Sequence, residues 1–191
     1  MKNNFLFSFT KTETHDVLKI LFIRISRKNK FQRELLECRK NILKNAKEVG
    51  ENLWLGGLTY INNNTYLGHD VNFNGMRMEG DGEVRIGNYF HSGTECLIIT
   101  RNHDYNNGEK IPYDREHHLY KKIIIEDFVW LGSRVMILPG TKIGEGAIIQ
   151  GGSVVHGEIP PYAIAGGNPA KVFKYRDIEH FKTLKEQRQF Y

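Results

Sequence analysis

From Ile125 onward an aliphatic residue returns at every sixth position: Ile125, Leu131, Ile137, Ile143, Ile149 and Val155. Gly follows at 132 and 144, and four places after each aliphatic stands Val129, Val135, Thr141, Ala147 or Ser153. An α-helix repeats near 3.6 and a strand at two. A period of six is three strand dipeptides, the length of one flat side of a triangular coil. Such a side cannot bury its own apolar face, so a chain that keeps the period must stack coil on coil around one narrow core. The period predicts a parallel β-helix.

The same period begins at Val49 and holds through Leu55, Ile61, Leu67 and Phe73, with Gly at 50, 56 and 68. It slips across Met76–Glu83, an irregular stretch containing Gly80-Asp81-Gly82. It resumes one position late at Ile86-Gly87, continues through Ser92 and Ile98, and breaks again from Arg101 to about Lys122. About twelve six-residue units, three to a coil, predict about four coils. Their expected hand is left, an exception to the right-handed rule for parallel crossovers. The fold class expected is an all-β core, a left-handed parallel β-helix over 49–176 with an extruded loop at 101–122.

The flanks read as helical. Val17, Ile20 and Leu21, then Leu35, Leu36, Ile42 and Leu43, recur at helical spacing over 13–47. The polar run Arg27-Lys28-Asn29-Lys30 divides this segment, 1–48, into two expected helices. Their apolar faces suit the β-helix or a partner subunit. The apolar run Val17–Ile25 with its cationic flanks also suits peripheral contact of residues 13–30 with a membrane surface. At the other end Ile159-Pro-Pro-Tyr closes the coil. Ile178, Phe181 and Leu184 predict a final helix, 177–188 within the tail 177–191, capping the open end of the stack.

Charge is unevenly placed. Residues 1–48 hold 12 Lys/Arg and 5 Asp/Glu, a net of +7, whereas the other 143 residues hold 15 and 17, a net of −2. A β-helix that is slightly acidic offers no nucleic-acid groove. Two cysteines, Cys38 and Cys96, are too few for a disulfide framework and point to a reducing compartment. Met1–Thr10 has no basic start followed by an apolar run and a small-residue cleavage site, and no apolar run approaches the ~20 residues of a membrane span. The expected location is the cytoplasm, with the inner face of the membrane as an extension of the cationic reading.

The break at 101–122 is where chemistry is expected. A solenoid tolerates an insertion only where it loops out from a corner, and long loops in compact domains tend to carry function. Thr100-Arg-Asn-His103-Asp-Tyr opens this loop, which also contains His117 and His118. A histidine fixed where a rigid scaffold meets a loop is suited to general-base work, because imidazole titrates near neutral pH. Cys96 falls four places after Ser92, on the core-facing phase, and reads as structural; Cys38, in the predicted helix, reads likewise.

The segment 86–173 resembles the hexapeptide-repeat acyltransferases with a left-handed β-helix. That family includes galactoside, maltose and serine O-acetyltransferases, xenobiotic acetyltransferases, and enzymes of capsule and lipopolysaccharide gene clusters. The resemblance rests on Asn102-His-Asp at the loop start, Ile123-Ile-Ile-Glu-Asp-Phe-Val-Trp-Leu-Gly-Ser133 and Ile137-Leu-Pro-Gly-Thr-Lys-Ile-Gly-Glu-Gly-Ala147. Gly152-Ser-Val-Val, Ile159-Pro-Pro-Tyr-Ala and Ala165-Gly-Gly-Asn-Pro-Ala-Lys-Val complete it. It implies acetyl-CoA as donor, no metal, a sugar or glycan acceptor, and a homotrimer with its active sites in clefts between neighbouring coils.

Carried onto this sequence, the resemblance makes His103 the catalytic base. Trp130 matches a residue flanking the donor channel, and the period points it outward, toward either a neighbouring subunit or the pantetheine arm. Ser133, Gly151 and Gly152 match positions whose backbone lies along that arm. Lys171 and Lys174 match basic positions near the coenzyme's phosphates. Asn72 and Asn74, in Asn72-Phe-Asn74, resemble acceptor-binding residues. One departure stands out: His156-Gly157 replaces a Thr-Lys pair common in the family. A carboxylate orienting His103 is expected on mechanistic grounds. Asp81, Glu79 and Asp114 are the candidates; Asp104 adjoins the base and is expected to point elsewhere. Two rivals use the same scaffold. A non-catalytic binding subunit would have no need of the Asn-His-Asp. A γ-type carbonic anhydrase needs histidines about five residues apart in the coil, a spacing that His69, His91 and His103 lack.

Overall fold

Each six-residue period lays down one short strand and one corner, and in the computed structural model these strands stack into three parallel sheets. The structure describes residues 11–191, with the side chains of Ser26 and of 29–191. The first sheet holds Glu48–Val49, Thr65–Leu67, Val84–Ile86, Ile123–Ile125, Lys142–Ile143 and Glu158–Ile159. The second holds Trp54–Gly57, Asn72–Asn74, His91–Ser92, Trp130–Leu131, Ile148–Ile149 and Ala163–Gly167. The third holds Met76–Glu79, Cys96–Ile99, Met136–Ile137 and Val154–Val155. The result is a left-handed β-helix.

Register turns the period into three inward ladders. Leu67, Ile86, Ile125, Ile143 and Ile159 stack on the first sheet. Phe73, Ser92, Leu131, Ile149 and Ala165 stack on the second. Met78, Ile98, Ile137 and Val155 stack on the third. Every one of these side chains is buried, and a fully buried aliphatic contributes about 1.5–3 kcal/mol. The first sheet has a strand for each turn, so there are six turns, the last of them partial, rather than about four. The extra turns escape a count of regular units because some sides are not six residues long. The ladder positions Val155 and Ile159 are only four positions apart, and the third turn is interrupted by the extruded loop.

A single helix, α1 (Lys11–Asn45), replaces the two expected. Arg and Lys favour helix, so the polar run at 27–30 continues it. Leu35, Cys38 and Ile42 are buried, with Ile42 part of the solenoid core. Arg39 Nε donates to the Leu53 carbonyl at 3.3 Å. Thus the end of α1 lies on the first turn. Met1–Thr10 and the side chains of Val17, Ile20 and Leu21, with most of the surface suggested for residues 13–30, lie outside the described residues.

Between the first and second sheets every turn places one residue in the left-handed region: Asn52, Asp70, Tyr89, Phe128, Gly146 and Tyr162. This conformation costs a non-glycine residue about 1–2 kcal/mol, and for the aromatics it builds a stack. Tyr89 lies on Phe128 at 4.8 Å with ring planes 6° apart. The tail docks there. Helix α2 (Ile178–Glu186), capped by Asp177 accepting from the His180 N–H, sets Phe181 5.8 Å from Phe128 and 5.1 Å from Tyr162. Phe190 then reaches Tyr89 at 4.6 Å. The tail therefore runs along this corner instead of capping the open end, because the aromatic row offers it an apolar surface. At the last turn Ala170–Tyr175 pairs antiparallel with Ala163–Gly167 and covers that strand's edge.

Candidate active site

The extruded loop is a hairpin. Arg101–His103 pairs antiparallel with His118–Tyr120, placing His103 opposite His118. Two carboxylates shape the chain between them. Asp104 accepts from the N–H groups of Asn106 (3.1 Å) and Asn107 (2.9 Å) and from the Asn107 side chain, and the Asn107 donors hold its pKa below the ordinary value. Asp114 is buried. It accepts from the Glu116 N–H at 2.9 Å and pairs with His117 Nδ1 at 3.0 Å, and these donors, Glu116 first, lower its pKa to about 2.

Rings hold the imidazole of His103. Tyr113 stacks on it at 4.0 Å with planes 19° apart, and the His118 ring lies 4.7 Å away. Its Nδ1 is buried and has no hydrogen-bond partner among the described residues. Among the described residues no carboxylate bonds to it. Asp114 serves His117, Asp104 serves its own turn, and Glu79 pairs with Arg77 at 3.0 Å. Asp81 meets Asn64 only through its backbone carbonyl. Aromatic rings, rather than a carboxylate, are what pack against His103.

The outward side of the second sheet carries a column in register: Trp54, Asn72, His91, Trp130, Ile148 and Ile164. A groove of about 840 Å³ lies over its first part, with the tail as the opposite wall. Trp130, Asn72 and Asn74 all line it. Asn74 Nδ2 donates to the Ser92 carbonyl at 2.8 Å and stands 3.2 Å from His91 Nε2. Asn72 Oδ1 is buried without a partner.

Ser133, Gly151 and Gly152 gather at the corner between the second and third sheets. The Gly152 N–H donates to the Ser133 carbonyl at 2.8 Å, and Ser133 Oγ accepts from the Thr94 N–H at 3.2 Å. Gly152 has φ +73° and open space where a side chain would be, whereas a Cβ on Gly132 would come within 2.4 Å of the Gly151 nitrogen. Lys174 lies opposite Ile164 and Lys171 opposite Gly166, both exposed at the last turn. His156 is exposed one corner away.

One chain thus holds four separate groups: the hairpin with His103, the groove with Trp130 and the two asparagines, the small-residue corner, and the lysine strand. His103 lines neither principal groove of its own chain. The groove residues that went unread in the sequence include Trp54, His91 and Arg176. Trp54 and His91 are in phase with Trp130, so extending the outward column would have found both. Arg176 comes from the tail, whose path no period records. Cys96 is buried with Sγ 3.3 Å from the Gly132 carbonyl, and burial raises its pKa; the thiol is a packing group. Among the described residues no three metal-ligating side chains come together, and no helix is long and apolar enough to cross a membrane.

Residues 122–157 match the family described as bacterial transferase hexapeptide (six repeats). The chain is 33% identical over 141 residues to a galactoside O-acetyltransferase of Lactococcus lactis, covering 71% of this chain and 66% of that protein. The match therefore falls just short of two-thirds of that relative's length. Against the galactoside O-acetyltransferase of Escherichia coli identity is 30% over 149 residues, 73% of this chain and 69% of that one. Among solved structures, a hexapeptide-repeat acetyltransferase of Vibrio cholerae complexed with acetyl-CoA superposes with a TM-score of 0.58. It is 23% identical, covering 69% of this chain and 72% of that chain, a likeness of fold.

Proposed function

The chain belongs to the hexapeptide-repeat transferases, and from that premise we propose that it moves an acetyl group from acetyl-CoA to a hydroxyl of a sugar or glycan, with His103 as general base. The observation that carries this reading is the clamped imidazole. A ring held between Tyr113 and His118 on an extruded hairpin, with Nδ1 buried, leaves Nε2 to take a proton. Nε2 would accept the hydroxyl proton as that oxygen attacks the thioester carbonyl. The tetrahedral oxyanion, stabilised by N–H donors, then collapses. The C–S bond breaks, and the imidazolium returns the proton to the departing thiolate.

Ser133, Gly151 and Gly152 would flank the pantetheine arm, since their corner lets a ligand approach the backbone closely. Lys171 and Lys174 would meet the coenzyme's phosphates. The groove with Asn72, Asn74 and Trp130 would take the acceptor. Because His103 lines no principal groove of its own chain, a homotrimer that brings the hairpin to a neighbour's groove is the assembly this reading needs. The E. coli and L. lactis relatives are named for galactosides, which supports a carbohydrate acceptor. The cationic segment 1–48 favours a glycan made at the cytoplasmic membrane face, as in polysaccharide biosynthesis.

The test is acetyl transfer from acetyl-CoA to a panel of sugars by wild type and His103→Ala. General-base removal should cost about 10²–10⁴-fold in kcat at unchanged thermal stability. Equal rates would overturn the assignment. Sedimentation should give three chains per particle.

A further inference from the structure

The groove carries a positive charge that the mechanism above does not use. Arg176 lines it with both of the chain's tryptophans, Trp54 and Trp130. The guanidinium lies over the Phe181 ring at 5.3 Å, which fixes it in place. Its Nε is buried and donates to nothing among the described residues. Among the described residues Arg176 forms no ion pair, and three carboxylates of this part of the chain are engaged elsewhere. Asp177 caps α2 through the His180 N–H at 3.0 Å. Asp70 accepts from Asn52 Nδ2 at 3.0 Å. Glu145 pairs with Lys185 and accepts from the Tyr162 hydroxyl. A buried, unpaired guanidinium donor is costly to fold, and burial lowers its pKa. On the facing wall Asn72 Oδ1 is likewise buried and unpartnered. The two residues that carry these orphaned atoms, one a cation and one a neutral amide, line one groove of about 840 Å³, within the ordinary size range of small-molecule sites.

We propose that this groove binds an anionic sugar, one bearing a phosphate or a carboxylate, with Arg176 on the anion, Asn72 accepting from a sugar hydroxyl, and Trp130 and Trp54 flanking the ring. The planar guanidinium matches the paired oxygens of either group, and indole faces suit the C–H face of a pyranose. Gly56 is part of the design. A Cβ there would meet Asn74 Oδ1 at 2.3 Å and the Trp54 ring at 2.5 Å, so the glycine makes room for both. The substrate class so named rests on the acetyltransferase reading, whereas the binding site does not.

Both tryptophans line the groove, so intrinsic fluorescence reports its occupancy directly. Glucose 1-phosphate, glucuronate and methyl glucoside are titrated into the full-length protein. At least one of the two anionic sugars should bind about tenfold or more tighter than the neutral one, and added salt should weaken that sugar and spare methyl glucoside. The stronger of the two identifies the anion. Arg176→Gln should abolish the preference and Arg176→Lys keep part of it. The same three sugars are then tried as acceptors with acetyl-CoA. Transfer without anion preference in binding or kcat/KM overturns the groove proposal and keeps the enzyme. Selective binding without transfer to any sugar keeps the groove and overturns the enzyme; neither binding nor transfer overturns both. A rise in KM for acetyl-CoA in place of the acceptor in Arg176→Gln assigns the guanidinium to the donor and ends the proposal. The salt titration needs no variant, so misfolding of Arg176→Gln leaves the test intact.

Discussion

The solenoid wall and the extruded hairpin solve the same problem in opposite ways. In the wall each residue answers to the turns above and below. Leu131 stacks between Ser92 and Ile149, and Ile137 between Ile98 and Val155. Backbone groups are satisfied by neighbouring turns, and side chains by a shared core. The hairpin has no such neighbours. Asp104 and Asp114 satisfy its backbone locally, and large apolar side chains such as Ile111 and Tyr105 stay exposed. The wall is constrained by packing and the hairpin by its own polar contacts. Under the proposed function chemistry sits on the second, because a reacting side chain has to meet solvent and substrate, which an inward ladder position forbids.

The contrast is most easily broken from the wall side. Leu131→Ala should cost about 2–5 kcal/mol, because the narrow core cannot close around the lost volume. Urea denaturation measures it directly. A loss under about 1 kcal/mol would mean that the turns are not coupled through their ladders. On the hairpin the balance should reverse. Tyr113→Ala should leave the urea midpoint nearly unchanged yet reduce kcat about tenfold, through loss of the ring that holds His103. If stability falls as far as it does for Leu131→Ala, the hairpin belongs to the core after all.

The wall was the legible part of the sequence because periodicity and burial are the same information there. Ile125, Leu131, Ile137 and Ile143 announced their own environment. The extruded hairpin was legible for the opposite reason, since it begins at the point where the period stops. What could not be read follows physically. Helix α1 has no breaker at 27–30, and polarity alone does not end a helix. The turn count failed where sides shorten, as between Val155 and Ile159. The groove's second wall is laid down by docking of Phe181 and Phe190 onto Tyr89, Phe128 and Tyr162, contacts that join residues far apart in the chain. The residue that holds His103, Tyr113, likewise reaches it only through hairpin closure.

The corner at Gly152 lies between the two regimes. It belongs to the wall, but its φ of +73° comes with open space rather than a packed neighbour. Gly152→Ala should therefore cost only the backbone term, about 1 kcal/mol. Under the acetyltransferase reading its larger effect is a raised KM for acetyl-CoA, with kcat preserved. Steady-state kinetics at varied donor separates the two, and an unchanged KM would move the donor away from this corner.

The gentlest test uses pH. Asp114 has a folded pKa of about 2 against an ordinary 3.8. A carboxyl whose pKa is depressed by folding stabilises the folded form above its unfolded value, and that contribution is lost as pH falls through the folded value. The hairpin should therefore be fully held above about pH 4 and loosen progressively toward about pH 2, as Asp114 is protonated and releases the Glu116 N–H and His117. Ile137 and Ile149 stack between buried apolar side chains, Ile98 and Val155 for one and Leu131 and Ala165 for the other, so they should keep their protection over that range. Amide exchange, corrected for its intrinsic pH dependence, would show residues 104–118 losing protection ahead of the wall. Asp114→Asn should remove most of that difference by weakening the hairpin already at neutral pH. Simultaneous loss of protection in both regions would show that hairpin and wall open as one unit, and that their separation is one of shape alone.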